Sequence, residues 1–518
     1  MSNNLLKLQN GSDIRGVALQ GISGEKVNLT PEIASLIGIS FGKWLSKKKN
    51  KSIENLRVCV GRDPRISGKM LSEALMSGLY SQGVHVSNAG LASTPAMFMS
   101  CVDEVFNCDG AVMVTASHLP SNRNGFKFFT SDGGLDSSDI KDILGNVDSE
   151  SFNPTSGIGF EKVPLMEAYS AHLRDIILSG IKDYGLDDLY GMNIVVDAGN
   201  GSGGFFARDV LMPLGADISG SQFLDPDGEF PNHVPNPEDK TAMESISDAV
   251  SRAGADLGII FDTDVDRSAA VGKRGKPIQR NEIVALAAAI GCKKHPKGTV
   301  VTDSITSNEL TDFLENYLGL KHLRFKRGYK NVINKAKEMS HEDAFLAIET
   351  SGHAAYSDNM YLDDGAYLAC LIVIESARLK AEGKDILSLI SEMKSPAESK
   401  EVRFKIFEDL ISEDQLIVSK NIGGFSDYAD TIIEMMREWV IETDGLSLVI
   451  PNYEGVRVNY DLFNKSSGTM VKGWFLLRKS LHDPVMPLNI ESDAYGGTSE
   501  VLSMIKSFLS QFKALEIQ

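Results

Sequence analysis

One pattern constrains this chain more than any other. Short apolar runs, each ending at a polar loop, alternate with stretches of helical periodicity. LRVCVG (56–61) leads to the helix-like KMLSEALMSGLYSQG (69–83). VHVSNAG (84–90), GAVMVTA (110–116), NIVVDAGNGSGG (193–204), ADLGIIFDTDVDR (255–267), GTVVTDS (298–304) and AFLAIETSGH (344–353) repeat the theme. Runs of this kind read as strands buried on both faces, and their alternation with helices reads as α/β units around a largely buried sheet. Ligands of such folds bind beyond the carboxyl ends of the strands, which is where the reactive groups of this chain fall. Thr30-Pro31-Glu32 supplies an N-cap, a proline at the first helical position and an acidic first turn for a helix through IASLIGISFGKWL. The Lys47–Lys49 run suits its C-terminus or is simply a solvated face.

A chain of 518 residues exceeds what one core organises, so about three or four domains are expected. The units group into blocks 1–190, 191–297 and 298–400, separated by loop-rich stretches such as SFNPTSGIGF (151–160). The recurring order of elements, more than residue identity, suggests that these three α/β blocks are related. From 401 to 518 the style changes. EVRFKIF, LSLVIPNYEGVRVNY and GWFLLRKS read as alternating, half-buried strands, so a smaller α+β domain is expected there.

No apolar run is long enough for a bilayer, and MSNNLLKLQN has no signal-peptide pattern. The expectation is a cytoplasmic protein with no membrane partner. A net charge of -18 argues against broad nucleic-acid binding. It leaves room for a local phosphate site built from Arg, Lys and backbone N–H groups. The five cysteines are scattered and form no CxxC pair, so they read as reduced, buried apolar residues.

Four stretches could carry chemistry. In FDTDVDR, Asp262, Asp264 and Asp266 can point one way from an extended loop. Carboxylates so crowded call for a cation, and hard oxygen donors fit Mg2+ or Ca2+. The full EF-hand pattern is absent, because Arg267 stands where glycine is required. Placement directly after GIIF favours a metal site over a solvated acidic turn. In VMVTASHLPSNRNGFKFF (112–129), Ser117-His118 lacks the G-x-S-x-G of a nucleophile elbow and is a weak signal alone, as is Lys127. ETSGH (349–353) is either a sugar-binding strand end or a capped turn. DAGNGSGG does not keep the G-x-G-x-x-G register and reads as a close turn, not a dinucleotide loop.

Taken in order, these stretches resemble the α-D-phosphohexomutases, the family of phosphoglucomutase, phosphomannomutase and phosphoglucosamine mutase. GSDIRG (11–16), VGRDPRISG (60–68), TASHLPSNRNGFK (115–127), VVDAGNGSGG (195–204), PDGEFPNHVPNPE (226–238), DTDVDR (262–267) and ETSGH (349–353) carry the resemblance, and the ordered set is far more specific than any one motif. It implies three related α/β domains and a smaller α+β C-terminal domain around a central cleft. Ser117 would carry a phosphoryl group, with Asp262, Asp264, Asp266 and the phosphoserine oxygens around one Mg2+. Arg15, His118 and Lys127 would surround the phosphoserine, with Lys127 as general acid/base. Glu349 and Ser351 would grip sugar hydroxyls, with His353 as a second acid/base, and Arg267 would orient the metal loop. The implied partners are small hexose phosphates of glucose, mannose or glucosamine. A hexose 1,6-bisphosphate would act as activator or phosphoryl donor. FKRGYKNVINK (325–335) is either a specificity loop or a plain helix entry.

The chain departs from the family's C-terminal phosphate loop, R-x-S-G-T-E-P-x-x-R. In RKSLHDPVMP, Arg478, Ser480 and Pro484 match, but Leu481, His482 and Asp483 replace Gly-Thr-Glu and Pro487 replaces the second arginine. Arg478 and Ser480 are the expected phosphate contacts. A changed clamp favours release of the bisphosphate, hence a glucose-1,6-bisphosphate synthase. The alternative is an ordinary reversible mutase in which Arg457, Lys472, Arg478 or His482 rebuilds the clamp. A sugar-phosphate-binding regulator is a further alternative, which the intact Ser117, Lys127 and three aspartates disfavour. A phosphatase-like hydrolase, which also uses a serine and a metal, is another, and it predicts release of free phosphate from sugar phosphates.

Overall fold

The computed structural model describes residues 5–147, 160–414, 416, 422–464, 468–480 and 483–517. The expected loop 151–159, Leu481 and His482 lie outside these residues. The chain forms two compact units, Met1–Lys293 with Phe345–Ser391, and Lys294–Ala344 with Glu392–Gln518. The division runs through the block expected over 298–400. No helix among the described residues is long and apolar enough to cross a membrane.

The first unit contains an eight-stranded mixed sheet. Strand Gly110–Val114, buried along its whole length, runs parallel to Arg57–Arg62 and antiparallel to Arg123–Thr130. Asp13–Val17 lies antiparallel on the far side of Arg123–Thr130. Helix Pro31–Lys49 starts as its sequence dictates, with the Thr30 side chain accepting from Ile33 N–H at 3.4 Å. Its Phe41 packs on Phe128 of the sheet with ring centroids 4.8 Å apart. Each such buried aromatic side chain contributes about 1.5–3 kcal/mol. A second sheet runs Lys276–Ile278, Ser268–Gly272, Leu257–Phe261, Ile194–Asp197. Only its Leu257–Phe261 and Ile194–Asp197 pair is parallel. Leu346–Ile348 and Ala354–Tyr356 form a further antiparallel pair.

These pairings correct one expectation. The apolar runs that end at TASHLPSN, DTDVDR and ETSGH do not lead into helices. Each loop returns directly as an antiparallel strand, in Arg123–Thr130, Ser268–Gly272 and Ala354–Tyr356 respectively. The connections 115–122, 262–267 and 349–353 are too short for a parallel crossover, which takes about a dozen residues or more. Each reactive loop therefore sits at the tip of a hairpin held by ladder hydrogen bonds on both sides.

In the second unit, Thr299–Thr302 and Lys321–Arg324 pair in parallel. FKRGYKNVINK enters helix Tyr329–Glu338. A five-stranded antiparallel sheet follows, in the order Glu398–Lys405, Val485–Ser492, Thr469–Leu477, Val456–Asn464, Leu446–Leu448. Helices Phe425–Ile441 and Gly497–Leu509 bury Ile432, Met436, Val501 and Ile505 in the same core as Val458, Phe475 and Leu488. This is the α+β arrangement that the alternating strands predicted.

Candidate active site

The first unit brings the three hairpin tips together. Ser117 stands at the end of the buried strand Gly110–Val114 in a left-handed backbone conformation, φ +48. A residue with a side chain holds that conformation at a cost of about 1–3 kcal/mol. Its Oγ donates to Asp262 Oδ2 at 2.8 Å and accepts from an Arg267 terminal nitrogen at 3.3 Å. His118 Nδ1 lies 3.4 Å from the same oxygen. Part of His118 reaches solvent. On the side facing the site, desolvation, then Arg267, Arg15 and His353, hold its pKa below the ordinary imidazole value. Arg15 pairs with Asp13 at 2.7 Å and donates to the Thr115 carbonyl, so it grips the backbone leading into Ser117.

Asp262, Asp264 and Asp266 are fully buried, and each offers a carboxylate oxygen within 4.8 Å of the others. The loop turns at Val265, whose φ of +69 is an outlier for a β-branched residue. Neighbours pin it from several sides. Thr94, at the start of helix Thr94–Val102, donates its N–H to Asp264 O at 2.8 Å and its hydroxyl to Asp264 Oδ2 at 2.5 Å. Gly365 N–H reaches Val265 O at 3.1 Å, and Ser202 N–H reaches Thr263 O at 2.8 Å. Lys127 projects from strand Arg123–Thr130 and places Nζ 2.5 Å from Asp266 Oδ2 and 3.9 Å from Asp264 Oδ2. Arg267 donates to Asp262 Oδ2 from its terminal nitrogen at 3.1 Å, and to Asn236 Oδ1 at 3.1 Å.

Lys127 and Arg267 thus set two positive charges against three carboxylates. Burial, then Asp266, push the Asp262 carboxyl well above its usual range in spite of Arg267. Burial acts the same way on Asp266, but Lys127, His353 and Arg267 outweigh it and hold that carboxyl low. Asp264 Oδ1 and Asp266 Oδ1 are buried with no hydrogen-bond partner among the described residues. Orphaned oxygens within a converging carboxylate triad, one member of which bonds Ser117 Oγ, are the donor set a hard divalent cation requires, so the residues fit the expected metal.

The third tip is a tight turn in which Gly352 N–H donates to Glu349 O at 3.0 Å and Glu349 N–H donates to His353 O at 2.9 Å. Glu349 and Ser351 are buried, and Ser351 Oγ has no partner among the described residues. His353 bridges to Arg267 through the backbone. Its Nδ1 lies 2.7 Å from Asp363 Oδ2 and 3.8 Å from Asp266 Oδ1. Burial opposes a charge on the ring, but Asp363 and Asp266 lift its pKa to about 9.

Arg478 and Ser480 belong to the second unit. Arg478 is half-buried, and its Nε has no hydrogen-bond partner among the described residues. Ser480 Oγ accepts from Asp483 N–H at 3.3 Å within a local turn. Arg457, named above as a residue that could rebuild the clamp, has its terminal nitrogens committed within this unit. It is 2% exposed, stacks 3.7 Å over Trp474, and donates to the carbonyls of Ser304 at 2.8 Å and Thr306 at 2.9 Å. Lys472 pairs with exposed Asp461 at 3.2 Å.

Reasoning from sequence did not single out Thr94, Thr115, Asn236 or Asp363. Asn236 had a signal, since PDGEFPNHVPNPE was visible as a motif without a role. Its His233 ties back to Asp197 of DAGNG at 3.1 Å. Thr94 and Asp363 act as single residues with no local pattern.

Comparison with known proteins places the chain in a defined class. The chain matches the family models for phosphoglucomutase/phosphomannomutase α/β/α domain I over residues 7–154, domain II over 167–275 and domain III over 279–395. It is 30% identical over 483 residues to a phosphomannomutase/phosphoglucomutase of Pseudomonas syringae, covering 93% of this chain and 90% of that one. It is 27% identical to a phosphoglucomutase of Neisseria gonorrhoeae over 95% of each chain. Among solved structures it is similar to a phosphoglucomutase/phosphomannomutase family protein of Burkholderia thailandensis. That match has a TM-score of 0.73 at 24% identity and covers 98% of this chain and 97% of that one. The fold is therefore three α/β/α domains followed by an α+β domain, and the protein is a phosphotransferase of the phosphohexomutase type. The chain belongs to the phosphoglucomutase/phosphomannomutase family.

Proposed function

We propose that this protein interconverts the 1- and 6-phosphates of glucose or mannose through a phosphoserine at Ser117. One observation carries the reading: a strained, buried serine hydroxyl lies 2.8 Å from one carboxylate of a converging aspartate triad and within 3.3 Å of Arg267. That geometry suits phosphoryl transfer, which depends on positioning and charge neutralisation more than on covalent chemistry.

Asp262, Asp264, Asp266 and a Ser117 phosphoryl oxygen would hold Mg2+. When bound, the ion neutralises charge on the transferring group. The chain's own residues do the rest. In the forward step the bond from phosphorus to Ser117 Oγ breaks and a bond to the free sugar hydroxyl forms. The hydroxyl proton passes to a general base, and Arg267 stabilises the departing Ser117 oxygen. Lys127 and His353, both set against Asp266, are assigned as the acid/base pair, and His118 and Arg15 position the phosphoserine. Glu349 and Ser351 take sugar hydroxyls, with a Ser351 Oγ that has no partner among the described residues in favour of that role. Arg478 and Ser480 take the distal phosphate, supported by an Arg478 Nε without a hydrogen-bond partner among the described residues. The blocks 1–190, 191–297, 298–400 and 401–518 are proposed as the four domains, the first three each contributing one hairpin tip.

The sequence alone favoured a glucose-1,6-bisphosphate synthase because of the altered loop around Leu481, His482 and Asp483. The mutase names of relatives aligned over 93–95% of the chain weigh for reversible mutase turnover. Phosphorus NMR decides between them. With glucose 1-phosphate and a trace of glucose 1,6-bisphosphate, rapid conversion to glucose 6-phosphate at constant bisphosphate is expected. Bisphosphate accumulation in step with loss of a donor would instead support the synthase.

A further inference from the structure

Two motifs, VGRDPRISG (60–68) and PDGEFPNHVPNPE (226–238), contribute almost nothing to the chemistry described so far. The structure gives the first a specific task. The Arg65 side chain is 0% exposed. An arginine has five N–H donors, and every one here meets an acceptor. Nε reaches Asp63 Oδ2 at 3.1 Å. One terminal nitrogen serves the carbonyls of Pro120 at 2.7 Å and Arg123 at 3.1 Å. The other serves those of Leu119, at 2.7 Å, and Ser117. Four of the five bonds therefore end on backbone carbonyls of residues 117–123, the Ser117 loop and the first residue of the strand that follows it.

Asp63 supplies the counter-charge and extends the scaffold. Its Oδ1 accepts Arg65 N–H at 3.0 Å and its Oδ2 accepts the Thr115 hydroxyl at 2.7 Å. Thr115 Oγ1 in turn accepts Ser117 N–H at 2.9 Å. Both backbone polar groups of Ser117 are thus held, N–H by Thr115 and C=O by Arg65, at a residue in a conformation that side-chain-bearing residues avoid. The second motif covers the scaffold. The Phe230 ring lies 5.3 Å from the guanidinium carbon, and Gly228 sits so close that a Cβ would be 2.4 Å from Pro64 O.

We infer that Arg65 is the positioning residue for Ser117, a buried guanidinium template that sets the backbone of residues 117–123 and so aims Oγ at the aspartate triad. The inference rests on the reading of Ser117 as phosphoryl carrier. Lysine cannot substitute, because its donors radiate from one atom and cannot span the separate carbonyls.

The test is Arg65→Lys in the full chain. Hydrogen exchange is followed by mass spectrometry over peptides spanning 115–123. kcat and KM for glucose 1-phosphate are measured with Mg2+ and a trace of glucose 1,6-bisphosphate. The expected result is faster exchange in 115–123 and a kcat lowered about 100-fold, as for a misplaced reacting group, with KM within about threefold of the parent. Parent-like exchange in that segment overturns the inference. So does a kcat within about threefold of the parent, or a loss expressed mainly in KM. If Arg65→Lys does not fold, the charge-balanced double variant Asp63→Asn/Arg65→Gln, which removes the guanidinium without leaving a buried unpaired carboxylate, replaces it, with the same expected and overturning results. A parent enzyme without turnover of either glucose 1-phosphate or mannose 1-phosphate would defeat the phosphoserine reading, while the exchange arm would still decide the role of Arg65 in ordering the loop.

Discussion

Ser117 Oγ donates to Asp262 Oδ2 at 2.8 Å although 145 positions separate them in sequence. Each residue stands at the tip of its own hairpin, on a different sheet. Neither loop is adaptable. Ser117 and Val265 both hold left-handed backbone conformations, and each loop is fixed by neighbours that its own sequence does not contain. The prearranged contact makes a phosphoryl group on Ser117 an immediate neighbour of the carboxylates.

The aspartate triad should respond to divalent cations. Mg2+ is expected to raise the melting temperature of the parent, by the equivalent of about 2.7 kcal/mol at a hundredfold excess over its dissociation constant. Asp264→Asn removes one ligand and should abolish most of that shift. Scanning fluorimetry across a Mg2+ titration checks this, and an undiminished shift in the variant would rule the triad out as the ion's site.

Lys127 neutralises a buried carboxylate, and it is also one of the two residues proposed as the acid/base pair. Lys127→Met should lower kcat by roughly 10²–10⁴-fold, the range for loss of a general acid/base. Without cation it should also destabilise the fold by about 3–5 kcal/mol, because Asp266 loses its 2.5 Å partner. Chemical denaturation with and without Mg2+ separates the two effects.

Gly201 packs directly against the backbone of the aspartate loop. A Cβ there would lie 2.8 Å from Thr263 O and 2.9 Å from Thr263 Cα. Gly201→Ala should therefore cost about 1–3 kcal/mol of stability and weaken Mg2+ binding. Isothermal titration on the folded variant measures the second effect.

Glu491, in the second unit, offers a separate pH signature. Burial lifts its pKa from 4.5 to about 7, even though Trp474 Nε1 donates to it at 2.8 Å. The folded state therefore holds the proton more tightly than the unfolded state, and stability falls as pH rises between those two values and stays lowered above them. Glu491→Gln keeps an acceptor for Trp474 and does not titrate. It should match the parent near pH 4.5 and exceed it at pH 8 by up to about 3 kcal/mol. Urea denaturation across this range tests the sign.

The buried strands and the aspartate cluster were legible in sequence because both leave local patterns, an unbroken apolar run and an i, i+2, i+4 spacing. The hairpin return after Val114 was not legible. FKFF is too short to distinguish from a loop segment, so Lys127 was only a weak signal on its own, when it is a buried strand residue paired with Asp266. The role of Arg65 was hidden for a different reason. Its acceptors are backbone carbonyls, which any residue supplies and no sequence pattern marks. Asp363 and Thr94 reach the site from a neighbouring strand and a helix start, and only the tertiary fold brings them near the triad.

The most direct test of the phosphoserine account is to incubate the parent and Ser117→Ala with glucose 1,6-bisphosphate and Mg2+ and to measure intact mass and phosphopeptides. The account predicts one phosphoryl group on the parent, located at Ser117 and discharged by glucose 1-phosphate or glucose 6-phosphate, with no adduct and no turnover in Ser117→Ala. A phosphoryl group on another residue, one that sugar phosphates do not discharge, or full turnover by Ser117→Ala would contradict it.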